Sequence, residues 1–179
     1  NMLDINYGTY PFVTSSSPTS AGVLEGAGVP PQSLTRIIGI AKAYSTRVCE
    51  GPFVTELLGD EGEALRQKGF EFGATTGRPR RCGWLDLPVV KQAVRINGLT
   101  DIAMTKIDIL TGYDKIPVCV GYELDGKQID YVPASLEVYG RCKPVWKVFD
   151  GWTEDISQIR NYEDLPENCR KYVEFVEEY

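Results

Sequence analysis

The chain has 179 residues, of which 42% are hydrophobic and 25% are charged, and this composition predicts a single globular domain with its own core. Because no apolar run approaches about 18 residues, a membrane-spanning helix is excluded and no membrane partner is expected. The formal net charge of -6 comes from nine acidic and three basic residues in 150–179, which disfavours RNA or DNA as a partner because nucleic-acid binders are usually basic.

The N-terminal part of the chain predicts alternating strands and helices. A short strand is predicted at 10–13, followed by a loop rich in Ser, Thr, Pro and Gly over 14–31. Residues 33–44 carry apolar side chains at helical spacing behind a serine N-cap, so a first helix is predicted there. Two more helices are predicted over 59–69 and 86–98, the latter with a proline in its first turn and a glycine at its end.

The run "TDIAMTKIDIL" at 100–110 follows the third helix directly and predicts a buried strand. Alternating helices and strands indicate an α/β fold, in which residues 1–112 form part of a mostly parallel sheet with flanking helices. Residues 113–179 continue the same domain. They predict an antiparallel β-hairpin with an Asp-Gly turn, a strand at 143–152 and an amphipathic C-terminal helix at 165–179.

Cysteine and histidine usage limits the chemistry that the chain can perform. The five cysteines are widely spaced without a C-x-x-C pair, and the sequence contains no histidine. This pattern indicates reduced thiols in a cytoplasmic protein, and no metal site is predicted. Because histidine is the commonest general base, any proton transfer would need a residue elsewhere.

The stretch "FGATTGRPRRCGW" at 72–84 gathers Arg78, Arg80 and Arg81 in an acidic chain. Its glycines permit unusual backbone angles, its threonines offer hydroxyls, and arginine binds carboxylate or phosphate through two parallel hydrogen bonds. The alternative is a solvated cluster that pairs with local glutamates such as Glu71. The Thr-Thr-Gly sequence before the arginines favours an anion site.

The sequence "TKID" at 105–108 lies at the end of the predicted buried strand, where open α/β sheets bind ligands. The Asp108 carboxylate can accept the N1 and 2-amino protons of guanine, a donor pair that adenine lacks, while the stem of Lys106 covers the ring. The tetrapeptide resembles the N-K-x-D guanine motif of GTP-binding proteins with threonine in place of asparagine. The alternative is a lysine and an aspartate that face water at a strand end.

Five sequence blocks, in this order and spacing, resemble the adenylosuccinate synthetase family: "LDINYGTYPFVTSS", "GIAKAYSTRV", "GPFVTEL", "FGATTGRPRRCGW" and "TKIDIL". The resemblance is dense from Met2 to about Gly112 and looser afterwards. It implies a P-loop-NTPase-like fold and a purine-biosynthesis ligase that joins IMP and L-aspartate with GTP as co-substrate, giving adenylosuccinate, GDP and phosphate. It also implies a cytoplasmic homodimer that uses Mg²⁺, with the metal ligands outside this chain.

The resemblance implies three groups of ligand-binding residues and no catalytic acid or base within the chain. For IMP they are Thr14, Val48 and Arg78. For aspartate they are Ala74, Thr75, Thr76, Gly77, Arg78, Pro79 and Arg80. For GTP they are Arg80, Lys106, Ile107 and Asp108. The anionic groups of these ligands would account for the positive charge of Arg78 and Arg80, which would stabilise the charge of the reacting groups.

Some features of the family pattern are changed or missing. Cys49 stands where a glycine usually follows "TRV", and Asn6 stands where an aspartate is usual. The family's phosphate loop, catalytic aspartate and histidine, and C-terminal guanine loop are not in the sequence, so the chain is interpreted as an internal part of the enzyme without turnover of its own. The alternatives are a non-catalytic α/β module that binds a nucleotide or an anion, and an acidic RNA-associated domain whose binding would weaken steeply with salt.

Overall fold

Five α-helices and eight β-strands are found in residues 2–179, which are the residues that the computed structural model describes. The helices are α1 (Ser20–Ala27), α2 (Gly59–Gly69), α3 (Leu87–Asn97), α4 (Leu136–Arg141) and α5 (Glu167–Glu178). The strands are β1 (Ile38–Lys42), β2 (Ser45–Arg47), β3 (Arg81–Gly83), β4 (Leu85–Asp86), β5 (Asp101–Thr105), β6 (Lys115–Leu124), β7 (Lys127–Ile129) and β8 (Lys143–Asp150). Single 3-10 turns cover Pro31–Ser33, Ile107–Leu110 and Tyr162–Asp164.

These strands form three small sheets. In the first, β1 pairs in parallel with β5, and in the second β2 pairs antiparallel with β3. The third is built around β6, which pairs in parallel with β4 and antiparallel with β7 and β8. The predicted α/β class is confirmed as a mixed α/β fold. The strands of residues 2–179 do not form one mostly parallel sheet, since three of these five strand pairs are antiparallel.

The helix predicted over 33–44 is wrong, because this segment contains strand β1. In the parallel register Ile38 lies opposite Asp101 and Lys42 lies opposite Thr105. The apolar spacing of 33–44 fits a helix, but its β-branched isoleucines also favour an extended strand when a partner strand is available. Pairing with β5, which is distant in sequence, decides between the two conformations.

The strand predicted at 10–13 is also wrong, since this segment forms turns. The Phe12 amide donates to the Thr9 carbonyl at 2.8 Å and the Val13 amide donates to the Pro11 carbonyl at 3.0 Å, so the hydrogen bonds are local. The loop predicted over 14–31 contains helix α1. The sequence of α1, "SAGVLEGA", consists mostly of small residues and shows little helical periodicity, so its composition alone indicates a loop.

Helices α2 and α3 confirm the helices predicted at 59–69 and 86–98. Helix α2 has acidic residues in its first turn and basic residues in its last turn, which complements the helix dipole. The side chain of Asp86 caps α3 by accepting a hydrogen bond from the Val89 amide at 3.3 Å. Gly98 ends α3 with a φ of 59°, a conformation that favours glycine.

The C-terminal predictions are confirmed by β6, β7, β8 and α5. Asp125 and Gly126 join β6 to β7 with φ angles of 50° and 79°, which are the positive values that Asp-Gly hairpin turns use. Strand β8 pairs along most of β6, from Lys115 opposite Asp150 to the end of the hairpin. Helix α5 then packs against this sheet.

Tyr172 of α5 joins the C-terminal helix to the rest of the core. Its side chain is completely buried, and its ring lies near the rings of Phe149 and Trp152, with centroids 5.8 and 6.3 Å away. Its hydroxyl donates to the carbonyl of Ala43 at 2.7 Å, directly after β1. These contacts hold the connection between β1 and β2 against the core, and both strands contribute residues to the candidate site.

The burial predicted for 100–110 is found only at the end of that run. Leu110 is completely buried, but Ile102 on β5 is 40% exposed. On the paired strand β1, Ile38 and Ile40 are 52% and 80% exposed. Three isoleucines of this two-stranded sheet, Ile38, Ile40 and Ile102, are therefore open to solvent, whereas Met104 packs against the core.

Two further features can be stated for the described part of the chain. No helix in it has both the length and the apolar character needed to cross a bilayer, and the longest helix has 12 residues. All five cysteines are unpaired; four are buried and Cys49 is half-buried. The prediction of free thiols is therefore confirmed.

Asp86 is a buried carboxyl whose ionisation opposes folding. Its Oδ1 accepts hydrogen bonds from the Tyr122 hydroxyl at 2.6 Å and from the Val89 amide. Burial raises the pKa of Asp86 to about 6, because desolvation outweighs these two hydrogen bonds. A carboxyl with a raised pKa in the folded state stabilises the fold when protonated. That contribution is complete below the unfolded pKa of about 4 and is lost as the pH rises through 6.

As the pH rises from 4 to 7, we therefore expect the free energy of unfolding to fall less in Asp86→Asn than in the unsubstituted protein. The shift of about two pKa units corresponds to about 3 kcal/mol of unfolding free energy in the unsubstituted protein. Asparagine keeps the acceptor oxygen for Tyr122 and does not ionise. Urea denaturation at pH 4, 5, 6 and 7 measures the difference, and identical pH dependence in both proteins would contradict the role given to Asp86.

Candidate functional site

The loop between α2 and β3 carries the Thr-Thr-Gly sequence and the first two arginines, and we call its residues 73–80 the arginine loop. It is closed by backbone hydrogen bonds from Gly77 to the Gly73 carbonyl at 2.8 Å and from Gly73 to the Arg78 carbonyl at 2.9 Å. Gly77 has a φ of 65°, which requires a residue that tolerates the left-handed region. Residues 74–79 are all exposed, so the tip of this loop is accessible to a ligand.

Arg81 has a structural role. Its guanidinium forms two hydrogen bonds with the Glu56 carboxylate, of 2.7 and 2.5 Å. Its Nη1 also donates to the carbonyls of Cys49 and Gly51, at 3.0 and 2.9 Å. Because Arg81 holds two neighbouring segments together, its charge and its donors are used within the protein.

Arg80 and Arg78 differ from Arg81 and from each other. Arg80 donates from Nη1 to a Glu71 carboxylate oxygen at 2.7 Å, while its Nε and Nη2 make no hydrogen bond with residues 2–179. Arg78 is exposed, and its guanidinium makes no hydrogen bond or ion pair with any residue in that range. The alternative of pairing with local glutamates therefore applies to Arg80 and Arg81 but not to Arg78.

Glu71 is the centre of a charged cluster that we call the Glu71 cluster, and its side chain is completely buried. Lys42 Nζ lies 2.8 and 2.9 Å from the two carboxylate oxygens, and the Tyr44 hydroxyl donates to Oε1 at 2.6 Å. Besides Arg80, the Lys106 ammonium is 3.3 Å from Oε1. Burial by itself would raise the pKa of Glu71, but the hydrogen bonds from Lys42, Tyr44 and Arg80 outweigh it and lower the pKa to about 2.

The Glu71 cluster brings three segments to one point. Lys42 ends β1, Arg80 lies at the base of the arginine loop, and Lys106 follows β5 with a φ of 58°. One carboxylate faces three cations, so the cluster keeps an excess of positive charge. Such an excess, beside an exposed arginine loop, favours a bound anion.

Asp108 lies next to this cluster, two residues after Lys106. It belongs to the 3-10 turn Ile107–Leu110, which buried Leu110 anchors in the core. The Asp108 side chain is exposed and makes no hydrogen bond with residues 2–179. The carboxylate is therefore open to a ligand. This geometry is compatible with both interpretations of Asp108, a contact with guanine or a carboxylate that faces only water.

Thr14 and Val48 lie on two other loops. Thr14 is half-buried and its hydroxyl shares a hydrogen bond of 3.0 Å with the Ser16 hydroxyl, while the Val48 side chain is 64% exposed. Arg47 connects these loops, since it donates to the Thr9 hydroxyl at 2.6 Å and to the Glu50 carbonyl at 3.0 Å.

Arg81 completes the connection to the arginine loop by holding the carbonyls of Cys49 and Gly51. Two structural arginines, Arg47 and Arg81, thus join the predicted IMP loops to the arginine stretch.

The two residues that depart from the expected pattern contribute backbone contacts. The Asn6 amide donates to the buried carboxylate of Asp4 at 2.8 Å, which closes a local turn. The Cys49 carbonyl accepts hydrogen bonds from Arg47 and Arg81. Neither contact uses the side chain that differs from the pattern.

Comparison with known proteins decides the family. A family model described as adenylosuccinate synthetase matches residues 1–179 of the chain. The chain belongs to the adenylosuccinate synthetase family. The resemblance drawn from the five sequence blocks is thereby confirmed.

Curated relatives in this family come from several bacteria. The synthetase of Clostridium novyi (strain NT) is 60% identical over 179 residues, which are 100% of this chain and 42% of that protein. The synthetase of Fusobacterium nucleatum is 60% identical over 177 residues, which are 99% of this chain and 42% of that protein. The chain therefore spans about 42% of the length of these relatives.

A solved structure gives the same result. The chain is similar to a fully ligated adenylosuccinate synthetase from Plasmodium falciparum, with a TM-score of 0.96 and 44% sequence identity. The match covers 99% of this chain and 43% of that one. The small parallel and mixed sheets of residues 2–179 thus belong to the fold of an adenylosuccinate synthetase.

Sequence patterns do not reveal every residue of this candidate site. The apolar spacing of 33–44 predicts a helix, and a helix there gives no reason to expect Lys42 and Tyr44 to converge on a buried carboxylate. For Glu71 the sequence suggests only a solvated partner of the arginines, whereas its side chain is completely buried. The available signal is the close spacing of a lysine and a tyrosine in "AKAY", but only the pairing of β1 with β5 brings these side chains and Lys106 to the same carboxylate, Glu71.

Proposed function

We propose that the chain forms the substrate-positioning part of an adenylosuccinate synthetase. This ligase of purine and AMP biosynthesis joins IMP and L-aspartate with GTP to give adenylosuccinate, GDP and phosphate. Family membership over residues 1–179 supports the proposal. The observation that carries it is the difference between the arginines: Arg81 is fully engaged by the protein, whereas the exposed Arg78 has donors that are open to a ligand.

In this proposal the arginine loop binds aspartate. Arg78 takes a substrate carboxylate through two parallel hydrogen bonds, and the hydroxyls of Thr75 and Thr76 and the loop amides supply further donors. Ala74, Gly77 and Pro79 give the loop its shape, and Arg78 also approaches IMP beside Thr14 and Val48. The positive charge of this loop, in a chain that is acidic as a whole, then neutralises the negative charge of the ligands.

GTP binds on the other side of Glu71. Asp108 accepts the N1 and 2-amino protons of guanine, and the segment from Lys106 through Ile107 lies along the base. Arg80 keeps Nη1 on Glu71 and offers Nε and Nη2 to a phosphate.

The phosphoryl group moves to the 6-oxygen of IMP, and the aspartate amine then displaces phosphate. Arg78 and Arg80 stabilise the negative charge that develops on the transferred group, because fixed donors act strongly where water is excluded.

Magnesium is the expected cofactor of this activity, but the residues described here do not form a site for it. Residues 2–179 contain no group of three or more acidic, cysteine or histidine side chains that could hold a metal ion. We therefore assign no step to Mg²⁺ within this chain and propose that its ligands belong to the rest of the complete protein. That protein is proposed to be a cytoplasmic homodimer.

Asp108→Asn tests the proposed guanine contact in the complete protein. We expect the KM for GTP to rise about tenfold or more, because the carboxylate acceptor facing the N1 proton is replaced in part by an amide donor. The same variant should prefer xanthosine triphosphate, which carries an oxygen where guanine carries an amino group. Asp114→Asn, at the next aspartate along the chain, changes another exposed carboxylate and is the matched control. Equal KM values for GTP in all three proteins would contradict the guanine contact.

Turnover tests the proposal as a whole. GTP, IMP, aspartate and Mg²⁺ are mixed with the complete protein, and adenylosuccinate is followed by its ultraviolet absorbance. We expect product from the complete protein and none from residues 1–179 alone, since no general base is proposed in this chain. A complete protein that binds GTP without forming product would be a non-catalytic module and would contradict the proposed activity.

A further inference from the structure

The Glu71 cluster links two ligand sites that the proposed function treats separately. Arg80 belongs to the aspartate and phosphate side, and Lys106 belongs to the guanine side. Both reach the same buried carboxylate, at 2.7 and 3.3 Å. We propose that Glu71 is a positioning residue that holds the arginine loop and the guanine segment in one relative arrangement, so that aspartate and GTP depend on it together. This inference rests on the proposed function.

Glu71 is suited to this role because it is fixed in place. Its side chain is completely buried, and Tyr44 and Lys42 hold its carboxylate from the β1 side. It contacts Arg80 twice, since the Arg80 amide also donates to the Glu71 carbonyl at 2.9 Å. A carboxylate held at this many points restricts every cation that pairs with it.

Charge explains why the arrangement depends on a carboxylate. Without Glu71, the partly buried cations of Lys42, Arg80 and Lys106 would repel one another. The arginine loop and the segment after β5 would then separate. Because Arg80 has two guanidinium nitrogens without partners in residues 2–179, a ligand anion can bind it while Glu71 stays in place. Glu71 therefore acts through Arg80 and Lys106 and touches no ligand.

The test uses Glu71→Gln in the complete protein, because glutamine keeps the size and one acceptor and removes the charge. We expect the KM values for GTP and aspartate to rise together, by about tenfold, while the KM for IMP changes by less than about threefold. IMP is less affected because two of its three proposed contacts, Thr14 and Val48, lie on other loops without contact to the Glu71 cluster, and only Arg78 lies on the loop that Glu71 holds. Tyr44→Phe, which keeps the ring, should show the same pattern with smaller shifts and provides the test if Glu71→Gln does not fold.

Glu56→Gln is the matched control, since it weakens another glutamate–arginine pair that has no contact with Lys106. It should leave the KM values for GTP and aspartate within about twofold. If Glu71→Gln lowers the thermal midpoint but shifts all three KM values equally, or shifts none, Glu71 is only a structural residue and the inference is wrong.

If the proposed function itself is wrong, the unsubstituted protein forms no adenylosuccinate, and KM values cannot test Glu71. Hydrogen exchange of 73–80 then decides the positioning role: Glu71→Gln must speed exchange in this loop and Glu56→Gln must not.

Discussion

Arg78→Ala should lower kcat/KM of the complete protein by roughly 10²- to 10⁴-fold, the effect of losing two charge-assisted hydrogen bonds of about 1.5–3 kcal/mol each. Arg78 is exposed and makes no hydrogen bond or ion pair with residues 2–179. The thermal midpoint should therefore change by no more than about 2 °C. Steady-state kinetics with each substrate in turn, together with thermal unfolding, measure both quantities.

Arg95→Ala is the control for this prediction. Arg95 is an exposed arginine in the last turn of α3, and the proposed function gives it no role. This variant removes the same charge and should leave both kcat/KM and the thermal midpoint near their original values. If Arg78→Ala behaves like Arg95→Ala, the guanidinium of Arg78 is a solvent-facing surface group and the proposed anion site is wrong.

Gly83→Ala should destabilise the fold by about 3 kcal/mol or more. Gly83 ends β3 and is buried where residues 53–56 cross it. A Cβ at this position would lie inside the contact distance of the Thr55 carbonyl oxygen and 2.9 Å from Cζ of the Phe53 ring. Because backbone atoms would have to move, the strand that follows the arginine loop would lose its packing against this segment. Urea denaturation measures the loss.

Gly26→Ala is the matched substitution. Gly26 lies inside helix α1, and a Cβ there would have no atom within 4 Å. Alanine in an open helical position stabilises by up to about 1 kcal/mol relative to glycine. Opposite effects at Gly83 and Gly26 are expected. Equal effects would contradict the close approach of 53–56 to β3.

Local signals predicted α2, α3, α5 and the hairpin correctly. Asp86, a proline in the first turn and Gly98 mark the limits of α3, and the Asp-Gly pair marks the hairpin, because these residues act on the backbone next to them. The errors at 10–13 and 33–44 have a different origin. Short apolar runs fit more than one conformation, and only tertiary pairing such as that of β1 with β5 selects between them.

The candidate site was predictable in its residue types but not in its division of roles. Three arginines beside Thr-Thr-Gly indicate an anion site, yet their spacing does not show which of them remains open. The answer depends on Glu56 and Glu71, which reach Arg81 and Arg80 from other segments. The Lys106–Glu71 contact likewise depends on the register of two strands and lies beyond any local pattern.

The most direct test of a ligand-binding arginine loop is a crystal structure of the complete protein with IMP, GDP and aspartate bound. We expect the Arg78 guanidinium to lie within hydrogen-bond distance of a carboxylate of aspartate, and the Asp108 carboxylate to contact N1 and the 2-amino group of guanine. Ligands bound elsewhere, with Arg78 still in solvent and Asp108 away from the base, would contradict the account.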